Sequence, residues 1–445
     1  MKIRGDLFKK QISIAVTTYG TQSLYTHACL ESIRKWKNTR HELIVACHDP
    51  SLLLEYYLES CKKDGLIDKL IYTPNNYGHT KGVNKCFAEA SGDILVNIAN
   101  DILIGPVIID DCAYKLLHNK QLGLIGWHWY NDGTFWNNNN IIKYSLRDEN
   151  KPFLNETDKT NIQNAKWFTG KLFNSIGPKW LQLCNTAFFV IKKSTWNIVG
   201  GFSDIYHHYW ADDFLNYAVL DQGLDVHSFE SKFKHKSYFH EFQYDHIEIH
   251  DRRRNDDHVP IPSEIEHYTS SVLGGGLSEK ERNLLYIIAK TIESNKTILH
   301  VGLWRGAGLA LFMSAMKNVP TNFVGIDCFD MANISNFSGQ PPVKEEEVWR
   351  YLENFLSNDQ SLELIRANTL EMNEFPKADV IFVDAGHTKE CIINDTKLSI
   401  NALNNHGTLI FHDYGQSLWP DIKITLDKIF GHKIKYFDTL AIIKP

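Results

Sequence analysis

Strand-like and helix-like segments alternate twice along this chain, and a break near residues 251–277 separates the two series. Alternation of this kind predicts an α/β layer fold with a mainly parallel sheet. The break is charged, carries two prolines and ends close to three consecutive glycines, a composition typical of a linker. We therefore expect two α/β domains, over residues 1–258 and 280–445, joined by a linker over 259–279. Apolar periodicity predicts a helix from Ser23 to Trp36, and Lys69–Tyr72 is strand-like. Ser278 and Glu281 fit a capping box at the start of a helix near the end of the linker.

Composition narrows the range of partners and compartments. The net charge of −6 gives no electrostatic reason to bind nucleic acid, so no nucleic-acid partner is expected. None of the eight cysteines forms a C-x-x-C pair, which favours a reducing compartment over a disulfide framework or a structural zinc site. We identify neither a signal peptide nor a run of about 20 apolar residues that could span a membrane, and we expect a cytoplasmic protein.

Residues 131–182 interrupt the first series. This stretch is rich in asparagine and aromatic residues and has little periodicity. It predicts a loop-rich insertion that could hold an acceptor.

Three segments of the first half follow one another in a recognisable order. The first is a strand-like run over residues 12–18 that is followed by Tyr19. The second is the stretch Asn75–Asn84, and the third is a strand-like run that leads into Asp101. In this order they resemble the nucleotide-sugar region of family 2 glycosyltransferases, which have the GT-A fold. The resemblance implies a nucleotide-sugar donor, with a UDP-, GDP- or dTDP-sugar all open. It also implies that the donor is contacted by Thr17, Tyr19, Asn76, Lys81 and Asn100.

The same resemblance implies a divalent cation, Mn²⁺ or Mg²⁺, that bridges the donor diphosphate. Asp101 matches the second carboxylate of the family's D-x-D motif, whereas Ala99 stands where the first is usual. Carboxylate oxygens are the ligands that these hard cations prefer. His235 is the best match for the histidine that ligates the metal in this family, and His240 is the alternative.

A further glycosyltransferase motif lies near residue 210. The stretch Gly200–Asp204 resembles the family's G-G-F-D-E sequence, and Tyr209–Asp213 resembles the E-D motif that follows it. The resemblance implies that Asp212 or Asp213 is the general base that takes the proton of the acceptor hydroxyl. A structural interpretation stays open, because carboxylates also stabilise the N-terminus of a helix.

The second half resembles class I S-adenosylmethionine-dependent methyltransferases, which have a Rossmann-like fold. A strand-like run that contains His300 ends in a glycine-rich turn, and a second strand-like run ends at Asp327. His300 stands where the family prefers an acidic residue. The resemblance implies that Asp327 binds the ribose of S-adenosylmethionine and that Asn368 contacts its adenine. The remaining cofactor contacts that it implies are Gly302, Gly306 and Gly308.

The last motifs resemble small-molecule O-methyltransferases. A D-x-x-H sequence runs from Asp384 to His387, and a His-Asp pair at His412 and Asp413 follows the next strand. The resemblance implies that Asp384 and Asp413 hold a divalent metal. His387 would then take the proton of a sugar hydroxyl. His412 is equally well interpreted as a satisfied histidine at the edge of the core.

Together these motifs predict a bifunctional enzyme of glycan assembly. It would add a sugar, with inversion, and O-methylate a sugar hydroxyl. The acceptor would be a glycan or a lipid-linked glycan, reached by peripheral membrane association, and an oligomer stays open. The alternative is that one half is inactive and serves as a binding or scaffolding module, because Ala99 and His300 depart from the two family patterns.

Overall fold

The computed structural model describes residues 11–102, 104, 108–128, 184–203, 211–229, 257–273, 276–329 and 343–445, and the statements below concern these residues. The chain divides into two compact units. The first consists of Met1–Ser51 and Cys61–Asp256, and the second of Leu52–Ser60 and Asp257–Pro445. The limits of the expected linker stay a prediction. No helix in the described ranges is long and apolar enough to cross a membrane.

A seven-stranded sheet forms the centre of the first unit. Its strands, in chain order, are β1 (Ile12–Gly20), β2 (His41–Pro50), β3 (Lys69–Thr73), β4 (Ile94–Ala99), β5 (Leu122–His128), β6 (Cys184–Lys192) and β7 (Asp225–Phe229). In space they follow the order β3-β2-β1-β4-β6-β5-β7. The pairs among β1 to β4 are parallel, whereas β6 runs antiparallel to both β4 and β5. The strand order therefore reverses between β1 and β4, the position where open α/β sheets bind ligands.

Helices connect these strands. In chain order they are α1 (Ser23–Trp36), α2 (Leu52–Lys63), α3 (His79–Glu89), α4 (Ile108–His118), α5 (Lys193–Val199) and α6 (Ala211–Asp221). Residues 12–18 of β1 are buried without alternation, as expected for a parallel strand covered on both faces. The prediction of a mainly parallel α/β sheet is confirmed here.

An aromatic cluster fixes the end of α5 against α3. The ring of Trp196 lies edge-on to Phe87 at 4.8 Å and to Phe202 at 5.3 Å between centroids. Asn84 on α3 donates its side-chain amide to the carbonyl of Phe202 at 2.8 Å and accepts the Phe202 amide at 2.9 Å. The Gly-Gly-Phe motif is thus held to α3 by packing and by two hydrogen bonds.

The second unit contains another seven-stranded sheet. Its strands are β8 (Lys296–Val301), β9 (Thr321–Asp327), β10 (Gln360–Arg366), β11 (Ala378–Val383), β12 (Leu403–Phe411), β13 (Ile434–Phe437) and β14 (Leu440–Ile443). The spatial order is β10-β9-β8-β11-β12-β14-β13, parallel except for the pairs that β14 makes. This is a Rossmann-like order with its reversal between β8 and β11, so the predicted fold is confirmed for this unit too.

The helices of this unit accompany its sheet, and the start of one of them tests the predicted capping box. They are α7 (Ser263–His267), α8 (Glu279–Thr291), α9 (Ala307–Ala315), α10 (Glu345–Leu352), α11 (Lys389–Ala402) and α12 (Pro420–Phe430). At the start of α8 the Ser278 hydroxyl accepts the Glu281 amide at 3.2 Å, and the Glu281 carboxylate accepts the Ser278 amide at 2.7 Å. The capping box is confirmed, because both reciprocal bonds are present.

Candidate functional sites

The glycine-rich turn after β8 crosses the point where the strand order reverses. Gly302 has a φ of +85° and Gly306 a φ of +87°, a region that glycine adopts without strain. A Cβ on Gly302 would lie only 2.7 Å from the Cα of Ala385. A Cβ on Gly308 would lie 2.7 Å from the ring of Phe382. Close packing of the chain itself therefore requires these glycines, and their role as cofactor contacts stays a prediction.

Asp327 closes this turn at the end of β9. One carboxylate oxygen accepts the backbone amide of Trp304 at 2.8 Å, and the other accepts that of Phe329 at 2.6 Å. Both donors have a positive φ, +45° for Trp304 and +51° for Phe329, which is costly for a residue with a side chain. Asp327, which is predicted to bind the ribose, therefore also stabilises two strained backbone positions.

Asn368, the predicted adenine contact, begins a short 3₁₀ turn. Its side-chain oxygen accepts the Leu370 amide at 3.1 Å, and its amide donates to Glu371 at 3.2 Å. These hydrogen bonds give Asn368 a structural role in the turn. The adenine contact stays a prediction.

Three side chains converge at the carboxyl ends of β11 and β12. One ligand atom each from Asp384, His412 and Asp413 lies within 4.8 Å of the others. His412 Nδ1 is 3.0 Å from Asp384 Oδ1 and 3.3 Å from Asp413 Oδ2. Two carboxylates and an imidazole are a donor set that suits a divalent cation such as Mg²⁺ or Mn²⁺, so the residues present fit the predicted metal.

His387 completes this cluster. Its Nε2 lies 2.7 Å from Asp413 Oδ2, and its ring stacks on Trp419 with centroids 4.4 Å apart. The structure therefore brings the predicted proton acceptor against a predicted metal ligand.

Charge coupling is strong in this cluster. Burial alone would lower the pKa of His412, but the carboxylates of Asp384, Asp413 and Glu281 raise it well above its usual value. Burial alone would raise the pKa of Asp413, but His387 and His412 hold it well below its usual value. A cation that binds His412 must displace a proton, because the imidazole ligates in its neutral form.

Sequence reasoning missed two acidic residues near this cluster. Asp395 on α11 lines a small cavity together with Asp384, His387 and His412. It is 1% exposed, and neither of its carboxylate oxygens has a hydrogen-bond partner among the described residues. Glu281, which the sequence identified only as a helix cap, lies 3.3 Å from His412 Nε2. Asp395 follows the Asp384–His387 motif on the next helix, whereas Glu281 meets the cluster only through tertiary folding.

His300 marks the departure from the methyltransferase pattern. It is 2% exposed, and neither ring nitrogen has a hydrogen-bond partner in the described ranges. Its ring stacks on Phe382 with centroids 4.6 Å apart. Burial lowers its pKa to about 4, although Asp384 acts in the opposite direction. The imidazole is therefore neutral and contributes no charge where an acidic residue is usual.

Several donor-site residues predicted for the first unit lie at the carboxyl ends of β1 and β4. The buried hydroxyl of Thr17 has no hydrogen-bond partner among the described residues, and Tyr19 is 38% exposed. Asn100 uses its side-chain amide inside the fold, donating to Gln22 at 2.7 Å and to Thr18 at 3.2 Å. Donor contact by Thr17, Tyr19 and Asn100 stays a prediction.

Asp101 is buried after β4. Burial and the nearby Asp101 carboxylate raise the pKa of the Cys29 thiol above its usual value. On the other side of the sheet reversal, Asn76 accepts the Gly78 amide at 2.9 Å just before α3. Lys81 is half-buried in the first turns of α3. Metal and donor binding by these residues stay predictions.

His48 at the end of β2 was not predicted. Its Nδ1 lies 2.5 Å from the Thr73 hydroxyl, and its buried Nε2 has no hydrogen-bond partner in the described part of the chain. A Cβ on Gly82 would lie 2.7 Å from this nitrogen and closer still to the methyl group of Thr17, so the side chains of His48 and Thr17 both pack against α3 at Gly82. A lone histidine at a strand end gives no sequence signal.

The candidate base Asp212 is tied to the sheet. Its Oδ1 accepts the backbone amide of Thr186 on β6 at 3.0 Å. The Thr186 carbonyl accepts the side-chain amide of Asn97 on β4, which lies 3.5 Å from the ring of His79. A chain of polar contacts thus joins the candidate base to β4 and to the start of α3.

Four predictions fall outside the described residues. They concern the insertion at 131–182, the side chain of Asp213, and the histidines His235 and His240.

Two family models match the chain. Residues 13–194 match the model described as glycosyl transferase family 2, and residues 299–414 match one described as a methyltransferase domain. The chain therefore contains a region that matches family 2 glycosyltransferases and a region that matches a methyltransferase domain. Both resemblances identified in the sequence are confirmed. Domains of these kinds imply, in general terms, a nucleotide-sugar, S-adenosylmethionine and a divalent metal.

Two curated proteins resemble this chain over part of its length, and both are described as uncharacterized. One, from Acanthamoeba polyphaga mimivirus, is 25% identical over 156 residues, which are 33% of this chain and 65% of that protein. The other, from Haemophilus influenzae, is 26% identical over 126 residues, which are 27% of this chain and 66% of that protein. The chain thus spans slightly less than two thirds of the length of each relative.

Solved structures resemble parts of this chain. One is a TDP-rhamnose 3′-O-methyltransferase of calicheamicin biosynthesis, 14% identical, covering 42% of this chain and 88% of that chain with a TM-score of 0.30. Another is a mannosyltransferase from Pyrobaculum calidifontis in complex with GDP-Man and Mn²⁺, 11% identical, covering 63% of this chain and 73% of that chain with a TM-score of 0.36.

Proposed function

We propose that this protein is a transferase that assembles and modifies a glycan. Its first domain, over 1–258, transfers a sugar with inversion from a UDP-, GDP- or dTDP-sugar. Its second domain, over 280–445, O-methylates a hydroxyl of the same glycan with S-adenosylmethionine. The observation that carries the proposal is the convergence of Asp384, His412 and Asp413 beside the glycine-rich turn of a methyltransferase domain.

In the second domain, two features of the fold support methyl transfer to oxygen. Asp327 and the turn at Gly302 lie at the point of strand reversal, where a cofactor can be laid across adjacent strand ends. A divalent cation held by Asp384, His412 and Asp413 would lower the pKa of the acceptor hydroxyl.

His387 is the proposed proton acceptor. It would take the proton of the acceptor hydroxyl, while S-adenosylmethionine, when bound, would supply the methyl group and depart as S-adenosylhomocysteine with the electrons of its S–C bond. Asp413, 2.7 Å from His387 Nε2, orients the ring and stabilises the imidazolium that results.

In the first domain, Asp212 or Asp213 is the proposed general base. The acceptor hydroxyl loses its proton to this carboxylate as it attacks the anomeric carbon from the face opposite the leaving nucleoside diphosphate. The bond from the Thr186 amide to Asp212 holds one carboxylate oxygen in place. Asp101, with His235 as a further candidate, would hold the cation that neutralises charge on the departing diphosphate.

The remaining parts of the proposal concern the acceptor and its location. We infer a glycan or lipid-linked glycan as acceptor, reached peripherally from the cytosolic side. Joining the two activities in one chain raises the effective concentration of the product of the first domain near the second.

Two carboxylate variants test the halves separately. In the full chain, Asp384→Asn is expected to abolish methyl transfer and leave the release of nucleotide from the donor sugar intact, whereas Asp101→Asn is expected to do the reverse. Asp359→Asn and Asp64→Asn are matched controls, because both carboxylates are exposed and precede a strand of the respective sheet. His387→Ala should slow methyl transfer by about 10²–10⁴-fold.

Binding measurements decide between the two-enzyme proposal and the alternative of one inactive half. Calorimetric titrations of the full chain use S-adenosylhomocysteine and, with Mn²⁺, a panel of nucleoside diphosphates. Binding of both ligand classes is the expected result. No binding of one class at millimolar concentration would overturn the activity of that half and leave a single transferase joined to a scaffolding module.

A further inference from the structure

Glu281 combines a capping role with a second set of contacts. Its side chain is 2% exposed, and both carboxylate oxygens accept hydrogen bonds. Oε2 accepts the Ser278 amide at 2.7 Å, which is the capping bond of α8. Oε1 accepts the Thr439 amide at 3.3 Å and the Thr439 hydroxyl. The carboxylate is therefore fixed by the start of α8 and by the turn between β13 and β14.

The remaining contact of this carboxylate is His412. Nε2 of His412 lies 3.3 Å from Glu281 Oε2, on the side of the ring away from Asp384 and Asp413. Nδ1 lies 3.0 Å from Asp384 and 3.3 Å from Asp413. Because an ionised carboxylate is only an acceptor, Nε2 donates its proton to Glu281. The neutral form of the ring then has its lone pair on Nδ1, facing the two carboxylates.

This geometry is the one that metal-binding histidines require. Such a histidine generally donates its second ring N–H to a carboxylate, carbonyl or water, which fixes the tautomer and the ring orientation. Loss of that partner typically lowers metal affinity by about 10–100-fold. The capping carboxylate of α8 stands where this partner is needed.

We propose that Glu281 is a positioning residue that holds His412 in its metal-binding tautomer, so that one member of the α8 capping box also supports the metal site. The inference rests on the proposed function, because it requires a cation at Asp384, His412 and Asp413. It adds a role for a residue that touches neither the cation nor the substrates.

The test compares Glu281→Gln with Ser278→Ala. Ser278 and His412 both face Oε2 of Glu281. A glutamine with its oxygen at this position accepts from both groups, but without the negative charge that strengthens the bond from His412 Nε2. A glutamine with its NH₂ group there cannot accept from Nε2 at all. Either orientation weakens the hold of residue 281 on the Nε2–H tautomer of His412. Ser278→Ala removes the hydroxyl of the cap and leaves the contact between Glu281 and His412 in place.

Mn²⁺ affinity is measured by electron paramagnetic resonance in the full chain. All variants carry Asp101→Asn, so that the signal reports the second unit. Glu281→Gln is expected to weaken Mn²⁺ binding by about 10–100-fold. Ser278→Ala is expected to lower the unfolding temperature and leave Mn²⁺ affinity unchanged. Equal Mn²⁺ affinity in the parent and in Glu281→Gln would overturn the inference.

Further variants separate this inference from the proposed function. If the parent binds no Mn²⁺, or if Asp384→Asn binds it as tightly as the parent does, the proposed metal site fails. If Glu281→Gln does not fold, Thr439→Val replaces it, because it removes one hydrogen bond to the same carboxylate. Thr439→Val is expected to weaken Mn²⁺ binding several-fold, and unchanged affinity would then overturn the inference.

Discussion

The buried carboxyl of Asp395 makes the stability of the second unit depend on pH. Burial raises its pKa from 3.8 to about 6, although Thr369 and Asn394 act in the opposite direction. A carboxyl with a raised pKa binds its proton more tightly in the folded state than in the unfolded state. Its unfavourable contribution is therefore absent below pH 3.8, grows as the pH rises to about 6, and is constant above that.

The perturbation is Asp395→Asn, which removes the charge and nearly keeps the shape. A shift of this size corresponds to about 3 kcal/mol at neutral pH, since each pKa unit is worth about 1.4 kcal/mol. We expect the variant to be more stable than the wild type at pH 7.5 by roughly 1–3 kcal/mol, a range that allows for relaxation around the charge. At pH 3.5 the two proteins should be equally stable.

The assay is urea unfolding of the full chain at each pH, followed by hydrogen exchange of peptides from α11. Asp379→Asn is a control of opposite sign. Burial tends to raise the pKa of Asp379, but hydrogen bonds from the Thr297 amide and from Lys296 lower it below its usual value. That variant should lose stability at neutral pH, with the loss disappearing as the pH falls. A pH-independent effect of Asp395→Asn, or destabilisation at pH 7.5, would refute the reasoning.

Two further predictions concern hydrogen bonds that fix the candidate sites. Asp327→Ala removes a carboxylate that accepts two strained backbone amides. We expect the hydrogen-exchange rates of the Trp304 and Phe329 amides to rise by about 10–150-fold, which corresponds to a loss of about 1.5–3 kcal/mol per charged hydrogen bond. Unchanged protection of these two amides from exchange would contradict the prediction. Asn84→Ala removes both hydrogen bonds to the Phe202 backbone and should lower the stability of the first unit by about 1–3 kcal/mol, measured by urea unfolding and absent in the exposed control Lys85→Ala.

Elements with strong local signals were predicted well. Helix α1 runs from Ser23 to Trp36, as its apolar periodicity predicted, and β3 ends one residue beyond its predicted end at Tyr72. Strand–helix alternation was enough to predict both sheets as mainly parallel. These features depend on patterns within about 15 residues, which the sequence displays directly.

The geometry of the candidate sites was less accessible. The positions of Asp384, Asp413 and His387 followed from a motif, and the structure brings these side chains together. Glu281 and His412 are 131 residues apart, and no periodicity links them. Sequence patterns identify residues that share a local motif, whereas residues that tertiary folding brings together are identified only in the folded structure.

The same limit explains why Asn100 and Asp327 were only partly understood. The family resemblance assigns both to ligand contacts, but the structure shows the Asn100 amide bonded to Gln22 and the Asp327 carboxylate bonded to Trp304 and Phe329. A motif records that a residue type is needed at a position. It does not record whether the need comes from a ligand or from the fold.

Residues that serve both the fold and a ligand change how variants of this protein must be interpreted. Asp327 supports a strained turn, so a loss of cofactor binding in Asp327→Ala can follow from a displaced turn as well as from a lost ribose contact. Glu281 caps a helix, so a loss of metal binding there can likewise follow from fraying of α8. Activity alone cannot separate these causes, because both lower the same rate. A variant that weakens the same cap but keeps the contact to the ligating side chain, such as Ser278→Ala for Glu281, isolates the chemical contribution as the difference in affinity between the two variants.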